Sequence, residues 1–236
     1  MVLHVIDSGA LPPEKIMQKD TQLLDSLQRT SPPILHFYQW EGKCLTYGYF
    51  TQPADFLDLN RAQDLDIKLA RRPTGGGIIF HLTDFAFSIL IPVGHPGYSL
   101  NSLTNYAFIN QLTIQALANV TQNSLHAELW NPQIGAVECR PDFCMAKPTQ
   151  YDLVVQGKKI GGAAQRKKKW GYLHQGSISL CPPPFPLLKM LVKDLTLFSS
   201  IQSSSEYLVN YTNTHDIQEL QEKIKISMIE VCKQYL

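Results

Sequence analysis

Three consecutive glycines, Gly75, Gly76 and Gly77, follow two arginines and a threonine in the run Arg71-Arg72-Pro73-Thr74. Glycine lets a backbone approach a ligand closely and aim N–H groups at an oxyanion or phosphate, and arginine adds forked donors. The run reads as an anion cradle or, more plainly, as a glycine turn beside solvated arginines. No Gly-Lys-Ser/Thr follows, so it is not a P-loop. A second feature is Lys158-Lys159, set between Gly157 and Gly161-Gly162-Ala163-Ala164. Strand residues alternate faces, so one lysine of the pair can turn inward, where its ammonium would polarise a carbonyl or neutralise a phosphate; the plainer reading leaves both solvated. Cys144 stands upstream in a polar loop. A thiolate is the strongest nucleophile at neutral pH, and a nearby ammonium lowers its pKa, which makes Cys144 a candidate acyl carrier. Cys139 has the same claim on these grounds, and either thiol can instead be inert and partly buried.

Two further features have plainer readings. The tetrad Arg166-Lys167-Lys168-Lys169, next to Trp170 and Tyr172, reads as a solvated turn or a docking patch for an acidic protein rather than a nucleic-acid surface, because the chain carries 21 basic against 20 acidic residues. His81 and His174 fall at strand ends with no second ligand at metal spacing, so they read as hydrogen-bonding histidines and no metal site is expected.

The elements that position these residues follow from periodicity. A strand to Asp7 precedes a helix opened by Leu11-Pro12-Pro13, and ILHFYQW and CLTYGYF flank Glu41-Gly42-Lys43 as a hairpin over 34–50. Short strands at 66–72 and 78–80 bracket the glycines, and Phe85, Phe87, Ile89 and Ile91 alternate on the next strand, with one face in the core. A helix carries Tyr106, Ile109, Leu112, Ala116 and Val120, and residues 121–150 are irregular. Strands at 153–155, 160–164 and 172–180 are followed by a helix at 187–198. A last helix runs from Asp216, with Asp216 and Glu219 as its capping box.

With 236 residues, 44% hydrophobic and 17% charged, the chain suits one globular domain over 1–236 with a C-terminal helix at about 216–236. A net charge of +1 gives no general attraction for nucleic acid or anionic lipid. The apolar run at the start is too short for a signal-peptide core and no run reaches membrane-span length, so a cytoplasmic location is expected. Five cysteines without a C-x-x-C pair argue against a disulfide framework or a structural zinc site.

In order and spacing, FYQWEGKCLTYGYF, RRPTGGGIIFH, CMAKPTQYDLVVQGKKIGGAAQ and HQGS resemble the biotin/lipoate protein ligase superfamily, in its lipoate ligase and octanoyltransferase branch, over about residues 1–200. The resemblance implies an α+β fold, a mixed or antiparallel central β-sheet flanked by helices, with a tunnel for a medium-chain acyl group. It makes Lys159 the motif lysine that contacts the donor's carbonyl or acyl-phosphate oxygen, and Arg71 and Arg72 the family's arginine pair. Thr74, Gly75, Gly76, Gly77, His81, Gly162, Ala163, Gln165, His174 and Gly176 complete the implied donor-binding set. Cys144, with Pro148, Tyr151 and Ala163-Ala164-Gln165, resembles the cysteine-dependent octanoyltransferases. That makes Cys144 the nucleophile that accepts octanoate from acyl carrier protein as a thioester, and Cys139 a bystander. Transfer to the lysine of a lipoyl domain then needs no cofactor, nucleic acid or membrane. The three glycines and His81 also resemble ATP-dependent lipoate ligases, which would use free lipoate, ATP and Mg and pass through lipoyl-adenylate. Gln175, where the family tends to have histidine, motivates a third reading, a catalytically silent relative that binds lipoyl domains.

Overall fold

The computed structural model describes residues 2–131, 148–210 and 213–236. Strand β1 (His4–Leu11) leads into helix α1 (Pro13–Ser26), with proline at the first helical position, where its missing N–H is not needed. Then come β2 (Ile34–Trp40), β3 (Cys44–Tyr47), α2 (Leu59–Asp64), β4 (Lys68–Arg71), β5 (Ile78–His81), β6 (Asp84–Pro92) and α3 (Ser102–Val120). The chain continues through β7 (Ala127–Leu129), β8 (Leu153–Val155), β9 (Lys158–Lys168), β10 (Gly171–Ser179), α4 (Phe185–Leu191), α5 (Leu195–Ser204) and α6 (Thr214–Tyr235). Seven strands form a mixed sheet in the order β1-β2-β6-β10-β9-β8-β7, and β4-β3-β5 form a smaller one. The fold is α+β.

Several boundaries differ from the sequence reading, each for a local reason. Residues 34–50 are not a hairpin. β2 already has β1 on one edge and β6 on the other, so β3 has no edge to join and starts the small sheet with β4 and β5. The helix expected at 187–198 is two helices, broken where Val192 bridges to Leu57 and Asp194 caps α5 by accepting from the Thr196 N–H. The cap of α6 is Asn213, which accepts from the Asp216 N–H, so that helix starts two residues before Asp216. A short strand, β7, lies in the stretch expected to be irregular.

β6 and β10 are buried along their whole length, on both faces rather than one. One face of the large sheet packs on α3 and α6, where Phe87, Ile89, Ile109, Ala116, Met228 and Val231 share a core. Ala86, on the other face, packs with Tyr38, Ala70 and Ile16 and Met17 of α1. The β8–β9 register shifts at Leu153/Val154, opposite Lys159 to Gly161. That irregularity lets Ile160 join the helix-covered core while Gly162 falls on the same side as Lys159. No described helix is long and apolar enough to cross a membrane.

His174 lies on the helix-covered face, near the rings of Phe87 and Tyr106, and burial pushes its pKa down to about 3. An unfolded chain takes up this proton near pH 6.5 and the folded one does not, so stability falls with pH over the window from about 6.5 to about 3. His174→Gln is expected to flatten that part of the pH–stability curve, whose slope from this residue is at most about 1.4 kcal/mol per pH unit. Urea unfolding of both proteins at a series of pH values checks this.

Candidate functional site

The glycine loop between β4 and β5 is held by its carbonyls. The Tyr49 N–H donates to Thr74 O, the Thr51 hydroxyl to Gly76 O and the Gly48 N–H to Gly77 O. Arg72 donates through Nη2 to Gly75 O and Gly77 O, at 3.0 and 2.8 Å, and through Nη1 to Thr46 Oγ1. In a trans peptide the following N–H points opposite to the carbonyl, so these ties turn the amides of the loop the other way. The loop can exist only with glycine nearby: a Cβ on Gly48 would lie 1.8 Å from Gly76 O, and Gly76 itself has a φ of 87°. Arg72 is buried and organises the loop, whereas Arg71 is exposed, with its guanidinium 4.7 Å from the Tyr49 ring centroid.

Of the two lysines, Lys158 is exposed and Lys159 is buried. Lys159 Nζ donates to Asp152 Oδ2 at 2.7 Å, and the same oxygen accepts from the Thr149 N–H and hydroxyl. Gly162 makes room for the pair. A Cβ there would lie 2.7 Å from both Lys159 Cε and Nζ, and 2.9 Å from Asp152 Oδ1. Asp152 was not singled out in the sequence, although its place seven residues before Lys159, at the mouth of the β8–β9 hairpin, was a usable signal.

Two buried polar chains connect the loop to the large sheet. In one, Arg72 donates to Thr46, Thr46 Oγ1 lies 2.8 Å from His81 Nε2, and His81 Nδ1 lies 2.7 Å from Asp84 Oδ2, which also accepts from the Ser177 hydroxyl. His81 thus has both ring nitrogens engaged, and it stacks on Trp40 at 4.0 Å. In the other, Thr74 donates to Gln175 Oε1, and Gln175 Nε2 donates to Asp20 Oδ2, which also accepts from Ser88. Asp20 Oδ1 lies 2.8 Å from His36 Nδ1, and all of these groups are buried. Sequence reasoning missed the hub Asp20, and it noted Gln175 only as a departure from the family's histidine, not as this link. Burial raises the Tyr38 pKa well above its ordinary value, and the Asp20 carboxylate adds to this, so the phenol stays neutral.

Between the two sheets runs a narrow seam of two cavities, about 20 and 40 Å³, that share Ile79 and Ser177 in their walls. Met17, Trp40, Ala86 and Ala164 line the first, and Pro183, Leu188, Ile201 and Tyr207 line the second. Ser177 is the register partner of Gly162, the residue against which the Lys159 ammonium packs. The glycine loop, Arg72, Lys159, Gly162 and the seam are thus brought to one side of the large sheet.

The remaining site residues of the sequence reading lie elsewhere. Residues opposed in register share a face. Ala163 opposes Gly176, and Gln165 opposes His174. A Cβ on Gly176 would lie 2.4 Å from the Phe87 ring, and Gln165 Nε2 lies 2.9 Å from His174 Nδ1. These four are on the face covered by α3, away from Lys159. Cys144 and Cys139 lie outside the described residues. Cys44, Cys181 and Cys232 are buried, and burial raises the pKa of each thiol, that of Cys232 to about 12, so none of the three is a ready thiolate.

Comparison with known proteins bears on this arrangement. Residues 12–228 match the model of the lipoyl protein ligase A/B catalytic domain. Among curated proteins, the octanoyltransferase LipM of Lysinibacillus sphaericus is 28% identical over 187 residues, covering 75% of this chain and 65% of the relative. The protein of the same name from Bacillus subtilis is 29% identical over 241 residues, 98% of this chain and 82% of the relative. Over the matched stretch the chain thus spans just under two thirds of the first relative's length. The solved structure of a bi-partite lipoate protein ligase and its E2 lipoyl domain from Thermoplasma acidophilum superposes with a TM-score of 0.72 at 19% identity, covering 98% of this chain and 84% of that one. That likeness shows the fold.

Removing one member of a buried ion pair leaves an uncompensated charge. Asp152→Ala is therefore expected to lower the unfolding free energy by about 3–5 kcal/mol, and Asp152→Ala combined with Lys159→Met to recover most of that loss. Urea denaturation of the three proteins at neutral pH tests the pair.

Proposed function

The chain belongs to the lipoyl protein ligase A/B catalytic domain family, and from that premise we propose that it transfers an octanoyl group from acyl carrier protein to the acceptor lysine of a lipoyl domain. The observation that carries the proposal is the buried ammonium of Lys159, fixed by Asp152 and packed on Gly162 next to the seam between the sheets. A cation held there matches the oxyanion that forms when a thioester carbonyl is attacked. The relatives' name, octanoyltransferase LipM, supports the same reaction.

In the proposed mechanism the Cys144 thiolate adds to the thioester carbonyl of the donor. The carbonyl carbon–sulfur bond to the carrier's prosthetic arm breaks, and the carrier sulfur leaves as a thiolate that takes up the proton Cys144 lost on ionising. The acceptor lysine, as its free amine, then adds to the new thioester. The Cys144 sulfur leaves, and the proton lost by the amine balances the one that returns to the thiol. A thioester exchanges for a thioester and then falls to an amide, so neither step draws on ATP or another cofactor. Lys159 steadies the oxyanion in both steps, and the loop amides of Gly75, Gly76 and Gly77, with Arg71 and Arg72 beside them, hold the polar end of the donor. The acyl chain occupies the seam. The assignment of the nucleophile to Cys144 is supported by Cys44, Cys181 and Cys232, the described cysteines, being buried with thiols held in the neutral form. In this reading the reaction is cytoplasmic.

Lipoate ligation is the second reading, favoured by the three consecutive glycines, which suit the phosphate of an adenylate. Free lipoate would be the donor, with ATP and Mg as co-reactants. Intact mass spectrometry of an apo lipoyl domain separates the two. Octanoyl acyl carrier protein without ATP is expected to acylate the domain and leave a hydroxylamine-labile octanoyl adduct on the enzyme, and Cys144→Ser is expected to abolish both. Acylation only with free lipoate and ATP, retained in Cys144→Ser, would make the chain a ligase. No acylation in either case would favour the silent binder.

A further inference from the structure

Phe50 is 88% exposed and meets the 41% exposed Tyr49 edge-on at 5.1 Å. Two large aromatic residues in water at the end of β3 serve no core. They are nevertheless held firmly, because Tyr49 and Thr51 donate to Thr74 O and Gly76 O of the glycine loop. The guanidinium groups of Arg71 and Arg166 lie 4.7 and 5.2 Å from the Tyr49 ring centroid. Arg166 is oriented further by donating to Pro73 O at 2.9 Å. Neither arginine has a carboxylate partner among the described residues. Both line a cleft of about 330 Å³ against α1 whose walls hold one acidic residue, Glu14; of the two other basic residues there, Arg72 is turned onto the glycine-loop carbonyls and Lys168 is paired with Asp25. The chain as a whole has a net charge of only +1, so this is a local concentration of positive charge.

We infer that this rim, Phe50 and Tyr49 flanked by Arg71 and Arg166, is the docking surface for the acidic protein that delivers the acyl thioester. The inference rests on the proposed transfer reaction and names the surface that its donor uses. Arginine and aromatic residues in contact are the composition of energetic anchors at protein interfaces, and stacking on Tyr49 orders both guanidinium groups before a partner arrives. The sign of the charge chooses between the two proteins the reaction must admit. The donor brings an anionic prosthetic arm on an acidic body, which the cleft attracts. The acceptor must bring the side chain of a lysine, which two arginines without a carboxylate partner among the described residues repel. A donor seated here stands on residues hydrogen-bonded to the glycine loop itself, so its arm has a short path to the site.

The test is binding of holo acyl carrier protein to the full chain by fluorescence anisotropy, together with KM for octanoyl acyl carrier protein and for the lipoyl domain. Phe50→Ala and Arg166→Glu are each expected to weaken carrier binding about tenfold and to raise the carrier KM in proportion, with the lipoyl-domain KM unchanged. Arg166→Glu is also expected to flatten the salt dependence of binding. The exposed Phe50 covers the case in which Arg166→Glu disturbs the loop. A wild-type chain that does not bind the carrier, carrier affinity indifferent to both variants, or a raised lipoyl-domain KM in place of the carrier's would each overturn the assignment. Binding needs no turnover. A chain that binds the carrier through this rim but transfers nothing keeps the surface and loses the reaction, whereas one that transfers with unaltered carrier affinity in both variants keeps the reaction and loses the surface.

Discussion

An ammonium group removed from water must be matched, and the matching of Lys159 organises one end of the molecule. A buried lysine without a partner either gives up its proton or destabilises the fold. Here the match is Asp152, which in turn is fixed by two donors from Thr149. The pair fits only because Gly162 has no side chain, and Gly162 reaches that position only because the β8–β9 register shifts by a residue at Ile160. A bulge, a glycine and a carboxylate are therefore parts of one requirement. Without the bulge, Gly162 would face α3 and the ammonium would have no floor.

The same physical rule explains the glycine loop. Arg72 is as buried as Lys159, and it donates to the Thr46 hydroxyl and to two backbone carbonyls of the loop. Its forked geometry lets Nη1 reach Thr46 while Nη2 holds the two loop carbonyls, which joins the loop to β3. Arg72 thereby sets the loop's shape, while its neighbour Arg71 remains on the surface. Thr74 extends the control to the large sheet through Gln175 and Asp20. Glutamine suits that link because one amide end accepts from Thr74 while the other donates to a carboxylate, and the amide itself does not titrate.

Much of the fold was legible because apolar spacing and turn residues act locally. The helices at the two ends, the strand of Phe85 to Ile91 and the glycine-rich lysine strand are all in place. The sheet switch after Trp40 was not legible, since the sequence of β2 and β3 cannot say that both edges of β2 are taken by strands from elsewhere. Lys159, Gly162 and the glycine loop were singled out by residue type, and they lie on one side of the large sheet. Ala163, Gln165, His174 and Gly176 share their motifs yet fall on the opposite face, because a strand motif always contains residues that point away from its own site. Asp152 and Asp20 went unread for a different reason, since each is a lone polar residue whose meaning comes from the groups that fold against it, and Gln175 was read as a departure from the family's histidine and not as the link between Thr74 and Asp20.

The proposed transfer asks a buried, paired ammonium to remain able to donate. The ammonium has three N–H donors, and among the described residues Nζ has one hydrogen-bond partner, Asp152 Oδ2. Asp152 thus fixes where the nitrogen sits without using up its capacity to donate. The ammonium is ordered before any substrate arrives, and the reorganisation that a free lysine would undergo is already complete in the folded chain. A pair in which Asp152 chelated the ammonium through both carboxylate oxygens would be more stable and less able to act. Engagement through one oxygen, with Thr149 holding that same oxygen in place, reconciles burial with a lysine that still has hydrogens to give.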